Sequence, residues 1–151
     1  SANVIVVVEQ EFAHPRPRVF RAWTAPEEMS QWRGSPGWHV ERESVTSDLR
    51  TGGRHHHVKV RDDDPSVRVT TDAVFTEYFD PDVFVARQRI TGDSGIDPNE
   101  SLELRVEFTA MGGDSTLVRI VQGPYDPAVA HAERAIHFLN ELAGRYVSGQ
   151  R

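Results

Sequence analysis

Near its end the chain changes its hydrophobic period from that of a strand to that of a helix, and that change restricts the folds open to it. Leu102, Leu104, Val106 and Phe108 alternate with Glu103, Arg105, Glu107 and Thr109, the pattern of an antiparallel strand with one wet face. After Pro127 the spacing becomes helical: Val129, Ala132, Ile136, Leu139, Ala143 and Tyr146 fall on one face, while Arg134, His137, Glu141 and Arg145 fall elsewhere. An apolar sheet face and an apolar helix stripe must each be buried against another layer, and the simplest solution packs one on the other.

The rest of the chain extends this scheme. Val4, Val6, Val8 and Phe12 predict a first strand over residues 3–12. His14-Pro15-Arg16-Pro17 breaks it, and a short helix over Arg18–Trp23 follows, with Val19, Phe20 and Trp23 as its apolar face. Thr24 with Glu27 three residues on has the form of a capping box, so a second short helix is expected to run to about Trp32, ended by Gly34, Pro36 and Gly37. Strands are then expected at 38–47, 54–61, 67–79, 83–90, 101–110 and 115–122. They are divided by turns at Thr51-Gly52-Gly53, Asp62-Asp63-Asp64-Pro65, Asp80-Pro81, 92–98 and Gly112-Gly113. The expectation is one α+β domain over residues 1–151, a curved antiparallel sheet wrapped around a long C-terminal helix with two short helices after strand 1.

Charge and composition exclude several roles. With 17 basic and 23 acidic side chains the net charge is −6, which repels nucleic-acid phosphates and anionic membranes, so neither partner is expected. The longest apolar run, Val4–Val8, is far too short for membrane insertion. There is no cysteine, which removes disulfides and thiolate chemistry, and the default location is cytoplasmic. Open strand edges allow a homodimer.

Six segments stand in an order seen in one family: Phe12-Ala13-His14-Pro15, Val19-Phe20-Arg21-Ala22-Trp23-Thr24, Gln31-Trp32, Gly37-Trp38, Asp48-Leu49-Arg50-Thr51-Gly52-Gly53-Arg54 and Thr76-Glu77-Tyr78-Phe79-Asp80-Pro81. The chain resembles the START-like (SRPBCC) superfamily, in the branch similar to the C-terminal domain of the activator of the heat-shock-protein-90 ATPase. The resemblance implies a helix-grip fold and a hollow cup that encloses a small hydrophobic or amphipathic molecule between the last helix and the sheet. It also raises two other roles: a polyketide cyclase or aromatase-like enzyme, and a module that stimulates a chaperone ATPase. Two positions depart from the family pattern. Arg33 stands where a second Trp is frequent, and His55-His56-His57 stands where aromatic or aliphatic residues are usual; both make the expected cavity more polar.

Alternation along a strand puts His55 and His57 on one face and His56 on the other. Two such imidazoles need a third ligand to hold a metal. No spaced His or carboxylate completes the set, so no metal and no cofactor is expected. Facing a cavity with an ordinary pKa near ~6.5, either ring would serve as acid or base at neutral pH. Glu77, two residues from Phe75 and from Phe79, is the matching carboxylate, with an ion pair to Arg87 or Arg89 as its structural alternative. The candidate catalytic groups are therefore His55, His57 and Glu77. The candidate ligand-binding residues are Trp32, Trp38, His55, His57, Phe75, Glu77, Gln88, Ile136, Leu139 and Asn140. Trp23 is expected in the core, Asp48 and Arg50 in a turn, and His131 and His137 in solvent. Gly52-Gly53 lacks the Lys-Ser/Thr and βαβ context of a phosphate loop and is read as a hairpin turn.

Overall fold

The structure, a computed structural model, describes residues 4–126 and 132–149; the side chains of residues 132–138 lie outside that description. Its elements are β1 (Val4–Phe12), α1 (Arg16–Thr24), α2 (Pro26–Trp32), β2 (Trp38–Val40), β3 (Thr46–Ser47), β4 (Arg54–Arg61), β5 (Asp64–Phe79), β6 (Val83–Gly92), β7 (Leu102–Gly112), β8 (Ser115–Tyr125) and α3 (Ala132–Val147), with a 3₁₀ turn over Arg42–Ser44. The strands form one antiparallel sheet in the order β1-β8-β7-β6-β5-β4-β2, with β3 also paired to β4. α3 lies against β1 and β8 and touches α1 and α2, which is the α+β helix-grip arrangement. Among the described residues no helix is long and apolar enough to cross a membrane.

The core follows the alternation. Val106, Val118 and Ile120 on β7 and β8 are fully buried, as are Val19 and Ala22 on α1. On α3 the buried line is Asn140, Ala143 and Val147, with Leu139, Leu142 and Tyr146 half-buried beside it. Gly144 lets this helix come close to β1, because a Cβ there would stand 2.8 Å from Gln10 Nε2 and 3.8 Å from the Phe12 ring. Val129 and His131 lie outside the described residues, and nothing is described for the Ala132, Ile136 and His137 side chains.

Three local expectations are corrected. Thr24 does not cap α2. It is the last residue of α1, and its hydroxyl donates back to the Phe20 carbonyl at 2.9 Å. α2 starts after Ala25 with Pro in its first turn and no side-chain cap, an arrangement proline permits because it has no N–H to satisfy. The strand expected over 38–47 is interrupted: Ser44 Oγ donates to the Glu41 carbonyl at 2.6 Å and accepts from the Val58 N–H at 2.9 Å. A side chain thus takes a ladder position, and the backbone turns. Asp64 and Pro65, expected in a turn, already belong to β5, and Pro is tolerated in the first residues of a strand.

The feature that most shapes the interior is a bulge in β5. Phe75 pairs with Ala86, but the next pair is Glu77 with Val85, so one extra residue sits in β5. The bulge reverses which side chains face inward. Phe75 is buried, and Tyr78 packs edge-on against Phe20 at 5.5 Å and Phe75 at 5.3 Å. Phe79 is 57% exposed. The Asp48–Gly53 turn holds the bulge in place: Gly52 N–H donates to Phe75 O at 2.7 Å, Phe75 N–H to Gly53 O at 2.9 Å, and Tyr78 N–H to Thr51 Oγ1 at 3.1 Å. Only glycine fits at Gly53, where a Cβ would stand 2.0 Å from the Asp48 carbonyl oxygen. Asp48 and Arg50 act as turn groups, with Arg50 Nε donating to Asp48 Oδ2 at 2.7 Å.

Candidate functional site

Inside the cup, a small cavity lies between the α1–α2 region and strands β4 to β7. Its volume is about 20 Å³, room for a single water. One part of its wall is apolar, formed by Ala73, Phe75, Phe84, Ala86 and Leu104; the other is polar, formed by Trp23, Thr24, Arg33, His55 and Gln88. The expected place was between the last helix and the sheet, but no described residue of α3 lines this cavity.

Cross-strand register explains the polar wall. His55 pairs with Ala73, which pairs with Gln88, so one inward row carries all three. His56, Asp72 and Arg89 form the neighbouring outward row, where His56 Nδ1 meets Asp72 Oδ1 at 2.7 Å. A groove of about 530 Å³ is lined by Arg54, His56, Asp72, Arg87 and Arg89, and also by His55, Ala73 and Gln88, which it shares with the cavity. Its walls are too charged for an apolar guest.

His55 and His57 form a chain. Ser47 Oγ lies 3.1 Å from His55 Nδ1, and His55 Nε2 lies 2.7 Å from His57 Nδ1. In that short contact one ring nitrogen donates and the other accepts, which excludes a state in which both rings are cationic. Burial pushes the His55 pKa down to about 3, helped by the positive charge of Arg33, and burial and the same charge hold His57 well below its ordinary value. Both imidazoles are therefore neutral at pH 7. This overturns the expectation of two rings titrating near neutrality, because a base of such low proton affinity contributes little to proton transfer at pH 7. We predict that the ring resonances of His55 and His57 stay constant from pH 8 to pH 5 in an NMR titration. A midpoint near 6.5 for either ring would contradict their burial. The sign for stability follows: below about pH 6.5 the unfolded rings take up protons that the folded ones refuse, so stability falls as pH drops.

Glu77 does not join them. The bulge turns it to the outer side, where its carboxylate is 45% exposed and accepts from Arg105 Nη1 at 3.1 Å. The expectation that it faces inward with Phe75 and Phe79 is corrected, and its cation is Arg105 rather than Arg87 or Arg89. Trp32 is a core residue rather than a rim residue. It is 5% exposed, donates from Nε1 to the Ala22 carbonyl at 2.8 Å, and meets the Trp23 ring edge-on at 4.7 Å. Trp38 is half-buried on β2, with Lys59 Nζ 5.3 Å from its ring centre, and lines neither described cavity. Gln88 is buried on the cavity wall, and its Oε1 accepts from Gln122 Nε2 at 2.8 Å. Leu139 packs against the core. The Ile136 side chain lies outside the described residues.

Several polar groups remain uncompensated. Asn140 is fully buried, and neither of its amide atoms has a hydrogen-bond partner among the described residues; the same holds for the Trp23 indole N–H. Arg33 follows α2, its backbone N–H closing that helix on the Met29 carbonyl. Its guanidinium lies 6.0 Å from the Trp23 ring centre, and burial lowers its pKa to about 10. Among the described residues no carboxylate pairs with Arg33 or with Lys59. Burial and the charge of Arg33 lower the Lys59 pKa. Sequence reading noted Arg33 only as a departure from a pattern, placed Trp23 in the core and passed over Lys59. The isolated basic residue directly after a Trp-ended helix was the available signal for Arg33.

Among the described residues no cluster of three or more His, Asp or Glu side chains could hold a metal ion.

A curved antiparallel sheet gripping a C-terminal helix, with a partly polar internal cavity, defines the helix-grip class, a fold generally used to bind small ligands. Residues 13–142 match the model of the family described as activator of Hsp90 ATPase homolog 1-like protein, and the chain belongs to that family. Solved structures similar to it include a protein from Chromobacterium violaceum, with a TM-score of 0.81 at 15% identity, covering 95% of this chain and 96% of that one. A protein from Arthrobacter aurescens matches with a TM-score of 0.81 at 17% identity over 97% of this chain and 87% of the other. The AHSA1-like protein from Aeromonas hydrophila matches with a TM-score of 0.76 at 21% identity, covering 97% of this chain and 93% of that one. Likeness at this level of identity concerns the fold. No curated protein matches the chain.

Proposed function

We propose that this chain binds a small amphipathic molecule in the interior of the cup. The apolar part of the guest lies against Phe75, Phe84, Ala86 and Leu104, and its polar part among Trp23, Arg33, His55 and Gln88. The observation that supports this reading is the polar half of the cavity wall, where a buried indole N–H without an acceptor among the described residues stands beside the half-buried guanidinium of Arg33. Each uncompensated buried polar group costs about 1–3 kcal/mol. A core that served packing alone gains nothing from such groups, whereas a guest supplying acceptors recovers that cost. The cavity as it stands takes about one water, so a larger guest enters by parting its walls, and binding is coupled to rearrangement of the surrounding side chains. The enzymatic alternative has less support, because Glu77 is directed away from His55 and His57 and both rings are neutral.

Native mass spectrometry of freshly purified protein is the test. The expected result is a discrete added mass of a few hundred daltons that is lost on gentle activation. Protein that carries no guest, and takes up none from an equimolar mixture of medium-chain amphiphiles, would overturn the reading. The same spectrum reads self-association. β1 is an edge strand whose Val4, Ile5 and Val7 are exposed, and we include a homodimer joined along this edge in the proposal.

A further inference from the structure

We propose that the polar end of the guest is a carboxylate, held at the cavity wall by the Arg33 guanidinium and the Trp23 indole N–H. This rests on the ligand-binding reading above and adds the chemical class of the head group.

The donors come first. Arg33 and Trp23 both line the cavity; the Trp23 N–H is buried without an acceptor among the described residues, the half-buried Arg33 guanidinium has no carboxylate partner among them, and it stands 6.0 Å from the indole ring centre. A guanidinium presents two parallel N–H groups that match the two oxygens of a carboxylate, while an indole N–H can only donate. Neither group offers a lone pair to a cationic or purely donating head. Trp23 is 1% exposed, so its N–H lies beyond the reach of bulk water and its acceptor must come from something inside the cup.

The surrounding charges agree. Lys59 shares the inward-facing side of β4 with His55 and His57, and its positive charge, like that of Arg33, has no carboxylate partner among the described residues. The nearby carboxylates are committed elsewhere. Glu28 accepts from Arg18 and Arg21, Glu41 from Arg68, and Glu77 from Arg105, while Asp72 sits on the outward row with His56. The charge of Arg33 acts on Lys59 as well as on the two imidazoles, and an anion near the guanidinium would relieve that repulsion. The neutral imidazoles of His55 and His57 add no charge, and they give the site further hydrogen-bonding groups next to the head. The apolar residues opposite, Phe75, Phe84 and Leu104, suit a hydrocarbon or aryl tail.

Isothermal titration with decanoate and with 1-decanol, on the wild-type chain and on Arg33→Gln and Arg33→Lys, tests the assignment. The two probes share a tail and differ in the head. The wild-type chain is expected to bind decanoate at least tenfold more tightly than 1-decanol. Arg33→Gln is expected to lose that preference while keeping its affinity for 1-decanol, and Arg33→Lys to retain part of it. The unchanged affinity for the alcohol shows that the Gln variant is folded. Equal affinities of the wild type for acid and alcohol would overturn the carboxylate assignment and leave ligand binding standing. Failure of the wild type to bind either probe would overturn both.

Discussion

Replacing Phe20 by Ala is expected to destabilise the fold by about 3–5 kcal/mol, the range for truncating a buried aromatic side chain. Phe20 is 1% exposed and meets three rings edge-on: Tyr78 of β5 at 5.5 Å, Phe84 of β6 at 6.3 Å and Phe108 of β7 at 5.0 Å. Such ring pairs add about 0.5–1.5 kcal/mol each beyond the area they bury. The three partners come from three neighbouring strands, so Phe20 is where α1 is locked across the curvature of the sheet, and the rings around it cannot collapse into the space without losing their mutual geometry. Chemical denaturation should show a large fall in the midpoint with an unchanged slope. A loss below about 1 kcal/mol would mean that α1 is not packed on the sheet in this way.

The second large effect is expected at Glu28, which joins all three helices. Its carboxylate accepts from Arg18 Nη1 at 2.6 Å and Arg21 Nε at 2.7 Å, both on α1, and from the Tyr146 hydroxyl of α3 at 3.0 Å. Hydrogen bonds to a charged group contribute about 1.5–3 kcal/mol, and Glu28→Gln should cost an amount in that range, since Arg21 is solvated and keeps water as a partner. Burial alone would raise the Glu28 pKa, but Arg21, Tyr146 and Arg18 outweigh it and hold the group below its ordinary value of 4.5. A depressed carboxylate contributes stability that is fully present above that ordinary value and is lost as pH falls through the lower, folded value. Acid titration of stability should therefore be shallower below pH 4.5 in Glu28→Gln than in the wild-type chain. Identical profiles would remove Glu28 from the acid response.

The balance of legible and illegible features follows from how local each one is. Alternation along β7 and the helical spacing after Pro127 are properties of neighbouring residues, so the sheet and α3 could be read directly, and the prolines and apolar spacing after the first strand located the two short helices. The bulge at Phe75 and Glu77 is set instead by the distant Asp48–Gly53 turn, through bonds spanning more than twenty residues. Simple alternation therefore assigned Glu77 to the wrong side. His55 and His57 were correctly placed on one face, but their protonation depends on burial and on Arg33, a residue from a different element. Thr24 misled because a capping-box spacing also fits a residue that ends the preceding helix. Glu28 gave no signal in sequence, as its three donors come from two other helices.

The extra residue in β5 also acts as a parity element in the chain. Before it, odd-numbered positions from Val69 to Phe75 face the interior; after it, Tyr78 does. Deleting Thr76 would restore plain alternation and leave Glu77 outward and Tyr78 inward, whereas adding or removing one residue between Val69 and Phe75 would carry part of the inward row to the opposite face. Length changes of one residue in the stretch from Val69 to Phe75 are therefore poorly absorbed, whereas the turn after β6, which has only Ile96 against the core and no inward row to preserve, takes them more readily. Divergence in chain length among proteins built on this plan should accumulate at that turn and spare the middle of the longest strand.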